Sequence, residues 1–183
     1  AIPPKHPRSV ALGIFDGVHL GHRAVISRAT GVEQSPGEVE GDSGSVPKGG
    51  TGAKELLTAA VFTFLQPPWK VNKEGARELL TPQQKCKALE SLGVEELIQA
   101  DFDRLRDMSP EEFVQRVLHE DLDARRVCCG FNYRFGRGGA GDAALLTRLC
   151  VQYDIQVITV PAVEVDGQPV SATRIRRLIE QGE

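Results

Sequence analysis

Short apolar runs alternate with amphipathic stretches along the whole chain, and this alternation predicts the fold. Apolar runs bounded by turn residues are typical of buried strands, whereas apolar positions that recur every three or four residues are typical of helices. The predicted strands cover residues 9–15, 59–64, 96–100, 126–130 and 155–160. The predicted helices cover residues 20–29, 82–92, 110–119, 142–153 and 171–181. Strands alternating with helices at this spacing indicate an α/β fold, with a parallel sheet covered by helices on both faces.

Two of the predicted helices begin with the same local signal. A Ser or Thr that can accept the first helical N–H groups stands before a proline, and a Gln or Glu follows three positions after the cap. The signals are Thr81-Pro82-Gln83-Gln84 and Ser109-Pro110-Glu111-Glu112. Nearer the end of the chain, the pair Asp166-Gly167 predicts a hairpin or tight turn within residues 163–170.

The composition changes sharply between residues 31 and 54, which are rich in Gly, Ser, Pro and Glu and poor in large apolar side chains. This composition is typical of a flexible surface loop, and we predict that the segment is disordered. It is not a domain boundary, because the residues before it are too few to build a core alone. We therefore expect residues 1–183 to form one domain, with a tail over the proline-containing residues 1–7.

Net charge and cysteine content indicate which binding surfaces and which cellular compartment to expect. The formal net charge of −3 argues against a general nucleic-acid or membrane surface, and no apolar run approaches the roughly 20 residues of a membrane helix. The four cysteines form no C-x-x-C pair, and three lie in apolar patterns, so we expect reduced cysteines and a cytoplasmic protein. The chain begins at Ala1 and not at Met, so we expect a processed or trimmed piece, located in a plastid or another organelle if a transit peptide was removed.

The first candidate site lies where the first predicted strand gives way to a helix, at residues 13–22, which read GIFDGVHLGH. His19 and His22 are three positions apart, so on a helix both imidazoles face the same side, close to its positive end. A chance pair of loop histidines and a zinc site are both alternatives. No H-E-x-x-H arrangement or neighbouring cysteine supports zinc, and the strand-turn-helix context with Gly17 and Gly21 favours binding of a nucleotide's phosphates.

The second candidate site is at the start of the last predicted helix, where residues 170–176 read VSATRIR. Ser171 and Thr173 offer hydroxyls, and Arg174 and Arg176 offer forked donors that suit phosphate oxygens. A capped amphipathic helix with its arginines in water explains the same residues equally well. The pairing with the histidines at the other end of the chain favours the phosphate interpretation.

A third stretch, residues 130–136, reads GFNYRFG and places aromatic side chains and an arginine between glycines. Such a loop can stack a flat ring while Asn132 binds its edge, but composition alone favours aromatics that cover the core. The following residues, 136–141, fit G-x-G-x-x-G. These glycines do not follow the strand directly, which argues against a dinucleotide fingerprint and a redox site. We predict instead that they make the loop mobile.

Taken in this order, the motifs resemble the FMN adenylyltransferase domain of prokaryotic-type FAD synthetases, which in many relatives is joined to a riboflavin kinase domain. These enzymes belong to the Rossmann-like H-x-G-H nucleotidylyltransferases. The resemblance covers nearly the whole chain, through FDGVHLGH at residues 15–22, TF at 63–64, LTPxxK at 80–85, GFNYRFG at 130–136 and SxTRIR at 171–176. It implies the reaction of FMN with ATP to give FAD and pyrophosphate, with Mg²⁺ accompanying ATP.

The resemblance also implies roles for individual residues. The catalytic residues would be His19, His22, Asn132 and Arg176. The residues that bind ATP would be Gly13, Phe15, Asp16, Gly17, His19, Gly21, His22, Ser171, Thr173, Arg174 and Arg176. The residues that bind the flavin would be Phe64, Asn132, Tyr133, Arg134 and Phe135. No residue is predicted to be a metal ligand of the protein itself.

The chain departs from the family pattern in three places. The proline-rich T-F-x-P-x-P stretch reads TFLQPP at residues 63–68, Ala172 stands where the family often has Ser, and residues 31–54 look like an insertion. No residues for a kinase domain are expected in this chain. A nucleotidylyltransferase with another acceptor and a flavin- or nucleotide-binding module without turnover are the alternatives.

Overall fold

The computed structural model describes residues 4–31, 56–65 and 79–181. Its strands are β1, Arg8–Leu12; β2, Thr58–Phe64; β3, Glu96–Ala100; β4, Ala124–Gly130; β5, Gln156–Val160; β6, Glu164–Val165; and β7, Gln168–Pro169. Its helices are α1, Leu20–Thr30; α2, Pro82–Ser91; α3, Phe102–Leu105; α4, Pro110–Glu112, which continues as a π-helix over Phe113–Asp121; α5, Ala143–Cys150; and α6, Ala172–Gln181. Almost all of the predicted loop at residues 31–54 lies outside the described residues. The same holds for residues 65–68, where the sequence departs from the family pattern.

The five longer strands form one parallel sheet in the order β3-β2-β1-β4-β5. This confirms the predicted α/β class. The strand order reverses between β1 and β4, and ligands of such sheets bind in the crevice outside the carboxyl ends of the strands at that point. The segments that leave these two strands are residues 13–19 and 131–141, which carry the first and third sequence motifs.

Alternate residues of β1 supply the two sides of the core, as the strand period of two requires. Val10 and Leu12 belong to the cluster covered by the π-helix and α5, whereas Ala11 packs with Val25 and Ile26 of α1 on the other face. Three of the cysteines are buried, as predicted: Cys128, Cys129 and Cys150. Burial raises the pKa of all three thiols, to about 12, 11 and 12 respectively, so they remain protonated and unreactive.

Local signals at the helix starts are confirmed in detail. The hydroxyl of Thr81 accepts from the N–H of Gln84, whose side chain accepts from the N–H of Thr81, and Ser109 and Glu112 form the same reciprocal box. The predicted hairpin is present as the antiparallel pair β6 and β7.

Two predictions about the ends of elements were wrong. The first strand ends at Leu12, because Ile14 and Phe15 turn out of the sheet, and Phe15 has a φ of 52°. The end of the predicted tail is anchored, since Arg8 is fully buried and its guanidinium donates to the carbonyl of Pro4 at 2.8 Å. The same guanidinium pairs with Glu96 at 2.6 Å, so the residues just before β1 are tied to β3. Among the described residues no helix has the length and apolar content to cross a membrane.

Candidate active site

The turn that follows β1 has a strained backbone. Phe15, Gly17 and Val18 all have positive φ values, of 52°, 82° and 41°. Glycine adopts this conformation freely, but for a β-branched residue such as Val18 it is a genuine outlier. Strain of this kind persists only where surrounding contacts hold it, and it is concentrated at functional sites.

Groups from three other parts of the fold hold this turn. The carbonyl of Ile14 accepts from the Thr63 hydroxyl at 2.9 Å and from Lys85 Nζ at 2.8 Å. The carboxylate of Asp16 accepts from the backbone N–H of Leu79 at 2.9 Å. The turn is therefore fixed from β2, from α2 and from the segment that precedes α2, so its position does not depend on local propensity.

The two histidines lie together at the start of α1, as predicted. His19 is the N-cap of the helix, and its Nδ1 accepts from the backbone N–H of His22 at 3.4 Å. The two rings stack with centroids 3.6 Å apart, and the ring of Phe15 meets His22 edge-on at 5.3 Å. A side chain at Gly21 would lie 3.2 Å from the ring of His19, so glycine leaves the room that the stacked pair needs.

Burial keeps the inner histidine neutral. Desolvation, followed by the positive charges that His19 and Lys85 bring, lowers the pKa of His22 from 6.5 to about 3. Desolvation also lowers the pKa of His19, although the carboxylate of Asp16 opposes that shift. The Nδ1 atom of His22 is buried and has no hydrogen-bond partner among the described residues. An unsatisfied buried nitrogen is costly for the fold and is well placed for a ligand.

We expect this histidine to make stability fall at mildly acidic pH. Below about pH 6.5 the histidine at position 22 becomes protonated in the unfolded chain. In the folded protein it stays neutral down to about pH 3. The unfolded state then binds more protons, so the free energy of unfolding falls by about 1.4 kcal/mol per pH unit from this group. Urea unfolding at about pH 6 and pH 5 measures the slope. Between pH 6 and pH 5 the free energy of unfolding of His22→Asn should fall by about 1.4 kcal/mol less than that of the wild type. Equal decreases would contradict a buried, neutral His22.

One cleft of about 660 Å³ opens at the carboxyl edge of the sheet, beside the histidines. Its volume is typical of small-molecule sites. The predicted ATP-binding residues that line it are Gly13, Phe15, Asp16, His19, Gly21, His22, Ser171, Thr173 and Arg176. All the predicted flavin-binding residues line it as well: Phe64, Asn132, Tyr133, Arg134 and Phe135. The structure therefore brings the three sequence motifs together around a single cavity.

Two predicted ATP-binding residues lie outside that lining. The guanidinium of Arg174 donates to the carbonyls of Val165 and Gln168 at 3.3 and 3.1 Å, which ties α6 to the hairpin. A side chain at Gly17 would meet Leu79 at 2.7 Å, away from the cleft. A contact of either residue with ATP stays a prediction without a geometric basis here.

The start of α6 lines the same cleft as the histidines. Ser171 Oγ accepts from the backbone N–H of Arg174 at 3.2 Å, so the serine is a cap as well as a lining residue. Arg176 forms an ion pair with Asp16, which connects the last motif to the first across 160 residues. This pair was not anticipated from the sequence.

The aromatic loop after β4 covers the core and lines the cleft at the same time. Phe135 is 6% exposed and packs on Phe113 with centroids 5.6 Å apart, while Tyr133 stacks on Phe135. The predicted mobility of its glycines stays a prediction, although the loop is closely packed at Gly136 and Gly141. A side chain at Gly141 would lie 2.6 Å from Phe135, and the guanidinium of Arg137 donates twice to the carbonyl of Asp107.

Other residues at the site were missed. Lys85 ends the LTPxxK motif at residues 80–85, and no function was predicted for it, although its ammonium group holds the strained turn. The wall beside the aromatic loop includes Phe102, Leu105 and Arg106 of the short helix α3 and the residue that follows it. A helix of four residues is too short for a periodic signal, so only the apolar residues after β3 could have indicated it.

Similarity to known proteins extends over most of the chain. The FAD synthetase family model matches residues 2–39 and 49–174. The chain is 34% identical over 185 residues to an FAD synthetase of Listeria monocytogenes, covering 98% of this chain and 67% of that protein. It is 31% identical to a bifunctional riboflavin kinase/FMN adenylyltransferase of the same organism, covering 95% of this chain and 50% of that protein.

A solved structure supports the fold. It is described as that of a macrolide-efflux protein from Streptococcus pneumoniae, and it superposes on 97% of this chain and 54% of its own, with a TM-score of 0.75 and 29% sequence identity.

Proposed function

The chain belongs to the FAD synthetase family, and from that premise we propose that its cleft joins FMN to the adenylyl group of ATP, giving FAD and pyrophosphate. The observation that carries the proposal is the convergence of the histidine pair, the start of α6 and the aromatic loop on one cavity. These parts supply what the reaction requires, namely donors for phosphate oxygens on two sides and an apolar wall for a flat ring.

The two substrates divide the cleft according to its chemistry. The triphosphate of ATP lies between the start of α1 and the start of α6, where backbone N–H groups, imidazoles and Arg176 meet. The isoalloxazine ring lies against the apolar wall that includes Phe64, Tyr133 and Phe135. Asn132 stands on the loop that borders this wall, where its amide reaches the flavin or the reacting phosphates.

The phosphate of FMN is itself the nucleophile. Its second pKa is about 6, so near neutral pH it is mostly a dianion and needs no general base. An FMN phosphate oxygen forms the new bond to the α-phosphorus of ATP, and the bond from that phosphorus to the bridging oxygen of pyrophosphate breaks. Positioning and charge stabilisation dominate such transfers. A neutral His22 still has one N–H to donate, and Arg176 supplies a permanent positive charge.

Magnesium enters with ATP in this proposal. The described residues contain no group of three or more His, Cys, Asp or Glu side chains that could hold a metal ion. Mg²⁺ is commonly bound through substrate phosphates and water with only one or two carboxylates, so MgATP as the substrate fits these residues. The ion would neutralise charge on the phosphates while the side chains orient them.

Direct transfer predicts the stereochemistry. One in-line displacement inverts the configuration at phosphorus, whereas a covalent adenylyl-enzyme would give two displacements and net retention. We expect inversion when a single diastereomer of the α-phosphorothioate of ATP is the substrate, as read from the configuration of the product FAD. Net retention would rule out direct attack.

The acceptor is tested with FMN and riboflavin in parallel reactions with MgATP, analysed by chromatography of the flavins. We expect FAD from FMN and no product from riboflavin, since riboflavin has no phosphate to attack. Turnover of ATP only with another phosphorylated acceptor would indicate a different nucleotidylyltransferase. Tight binding of FMN and ATP without any product would indicate a binding module.

The wider context of the protein is also a proposal. We propose that residues 1–183 act as one adenylyltransferase domain in the cytoplasm or the interior of an organelle, on small-molecule substrates. Some relatives are named as bifunctional enzymes with riboflavin kinase activity. A kinase domain joined to this one in a longer protein would supply FMN directly to the cleft.

A further inference from the structure

Asp16 is a nearly buried carboxylate that joins three parts of the site. Its side chain is 7% exposed. One oxygen, Oδ1, accepts from the backbone N–H of Leu79 at 2.9 Å, and the other, Oδ2, forms the ion pair with Arg176. The turn after β1, the segment that precedes α2 and helix α6 therefore meet at this one side chain.

A direct contact between Asp16 and ATP is electrostatically unfavourable. Both carboxylate oxygens already accept hydrogen bonds from the protein. A triphosphate placed against the same carboxylate would bring like charges together in a poorly solvated site, where repulsion is screened less than in water. Arg176 also lines the cleft, and its guanidinium has five N–H donors in a planar fork. One edge of the fork can face Asp16 while other donors face the phosphates.

We propose that Asp16 is a positioning residue, which fixes the guanidinium of Arg176 in the orientation that receives the triphosphate, and that it does not itself contact ATP. The proposal rests on the function proposed above. An arginine side chain loses rotamer entropy when it is ordered, and a preformed ion pair removes most of that cost from the binding step. Holding the group in place beforehand also keeps its donors aimed at the phosphates as charge develops.

The substitution Asp16→Asn separates positioning from folding. Asparagine keeps the shape of the side chain and an oxygen that can accept from Leu79, but it removes the charge that holds Arg176. We expect kcat/KM for ATP to fall about tenfold, the size of effect typical of coupled charged neighbours, while KM for FMN stays unchanged. If the role of Asp16 were merely structural, the substitution would lower thermal stability without a selective effect on kcat/KM for ATP over KM for FMN.

A double-mutant cycle with Arg176→Gln provides the decisive measurement. If Asp16 acts only through Arg176, the double variant has a kcat/KM for ATP no lower than that of Arg176→Gln alone, because the group being positioned is already gone and the unpaired carboxylate is removed with it. Effects that multiply would show that Asp16 acts independently on ATP and would overturn the proposal. Matched controls are Asp154→Asn and Arg177→Gln, which each remove one exposed charge, and both should leave kcat/KM unchanged.

The same variants distinguish this proposal from the function on which it rests. If the wild type makes no FAD, the function fails, and the cycle is then measured on ATP dissociation constants by titration calorimetry. The same non-additivity supports the positioning role, and multiplying effects contradict it. If Asp16→Asn does not fold, Asp16→Glu replaces it in the cycle, with the displaced carboxylate expected to give the same non-additive pattern.

Discussion

Replacing His22 by alanine should lower kcat for FAD formation about 100- to 1,000-fold, the loss typical of removing one preorganised donor to a developing charge. His22 lines the cleft, stacks on His19 and has a buried ring nitrogen without a partner among the described residues. In the proposed mechanism, its contact with the phosphates strengthens as charge moves onto pyrophosphate, so the loss should fall on kcat. KM for FMN should change little, because the proposed flavin site is on the aromatic side of the cleft.

Steady-state kinetics with FMN and ATP varied in turn would measure this separation. His119→Ala is the matched control, because that imidazole stacks on Tyr153, which lies outside the lining of the cleft. We expect the control to keep its kcat. A His22→Ala variant with normal turnover would remove the central role assigned to this residue.

Replacing Arg176 by glutamine should lower kcat/KM for ATP about 100-fold, within the range for loss of a charged donor to a transferring phosphoryl group. The substitution leaves Asp16 as a nearly buried carboxylate without its ion-pair partner, at the side of the cleft that is proposed to bind the triphosphate. Both the lost attraction and the new negative field should act against ATP, whereas FMN at the proposed apolar wall should bind nearly as before.

The neighbouring exposed residue provides the control for this substitution. Arg177→Gln removes the same charge from the same helix without touching the cleft and should be indistinguishable from the wild type. If Arg177→Gln lowered kcat/KM for ATP as much as Arg176→Gln does, the effect would belong to the net charge of α6. The predicted interaction of Arg176 with ATP would then be wrong.

Local patterns in the sequence predicted the scaffold because they act over a few residues. The capping boxes at Thr81 and Ser109 and the alternation in β1 follow from neighbouring side chains. The end of β1 was misjudged, because the apolar side chains of Ile14 and Phe15 continue the strand pattern. The bend that takes these two residues out of the sheet depends on hydrogen bonds from Thr63 and Lys85, which are distant in sequence.

Contacts between side chains of the site were also beyond what local sequence patterns could predict. Local sequence does not specify the ion pair between Asp16 and Arg176, whose partners are 160 residues apart. Residues two apart on a helix face different sides, so Arg174 and Arg176 lie in different surroundings. A contact of Arg174 with ATP stays a prediction. The structure places Arg176 at the cleft and Arg174 on the hairpin.

A time course of FAD and pyrophosphate in one reaction of the wild-type protein with MgATP and FMN tests the proposed chemistry most directly. Adenylyl transfer at this cleft predicts that the two products appear together, in equal amounts, at every time point. Pyrophosphate released without FAD, or no consumption of either substrate, would contradict it.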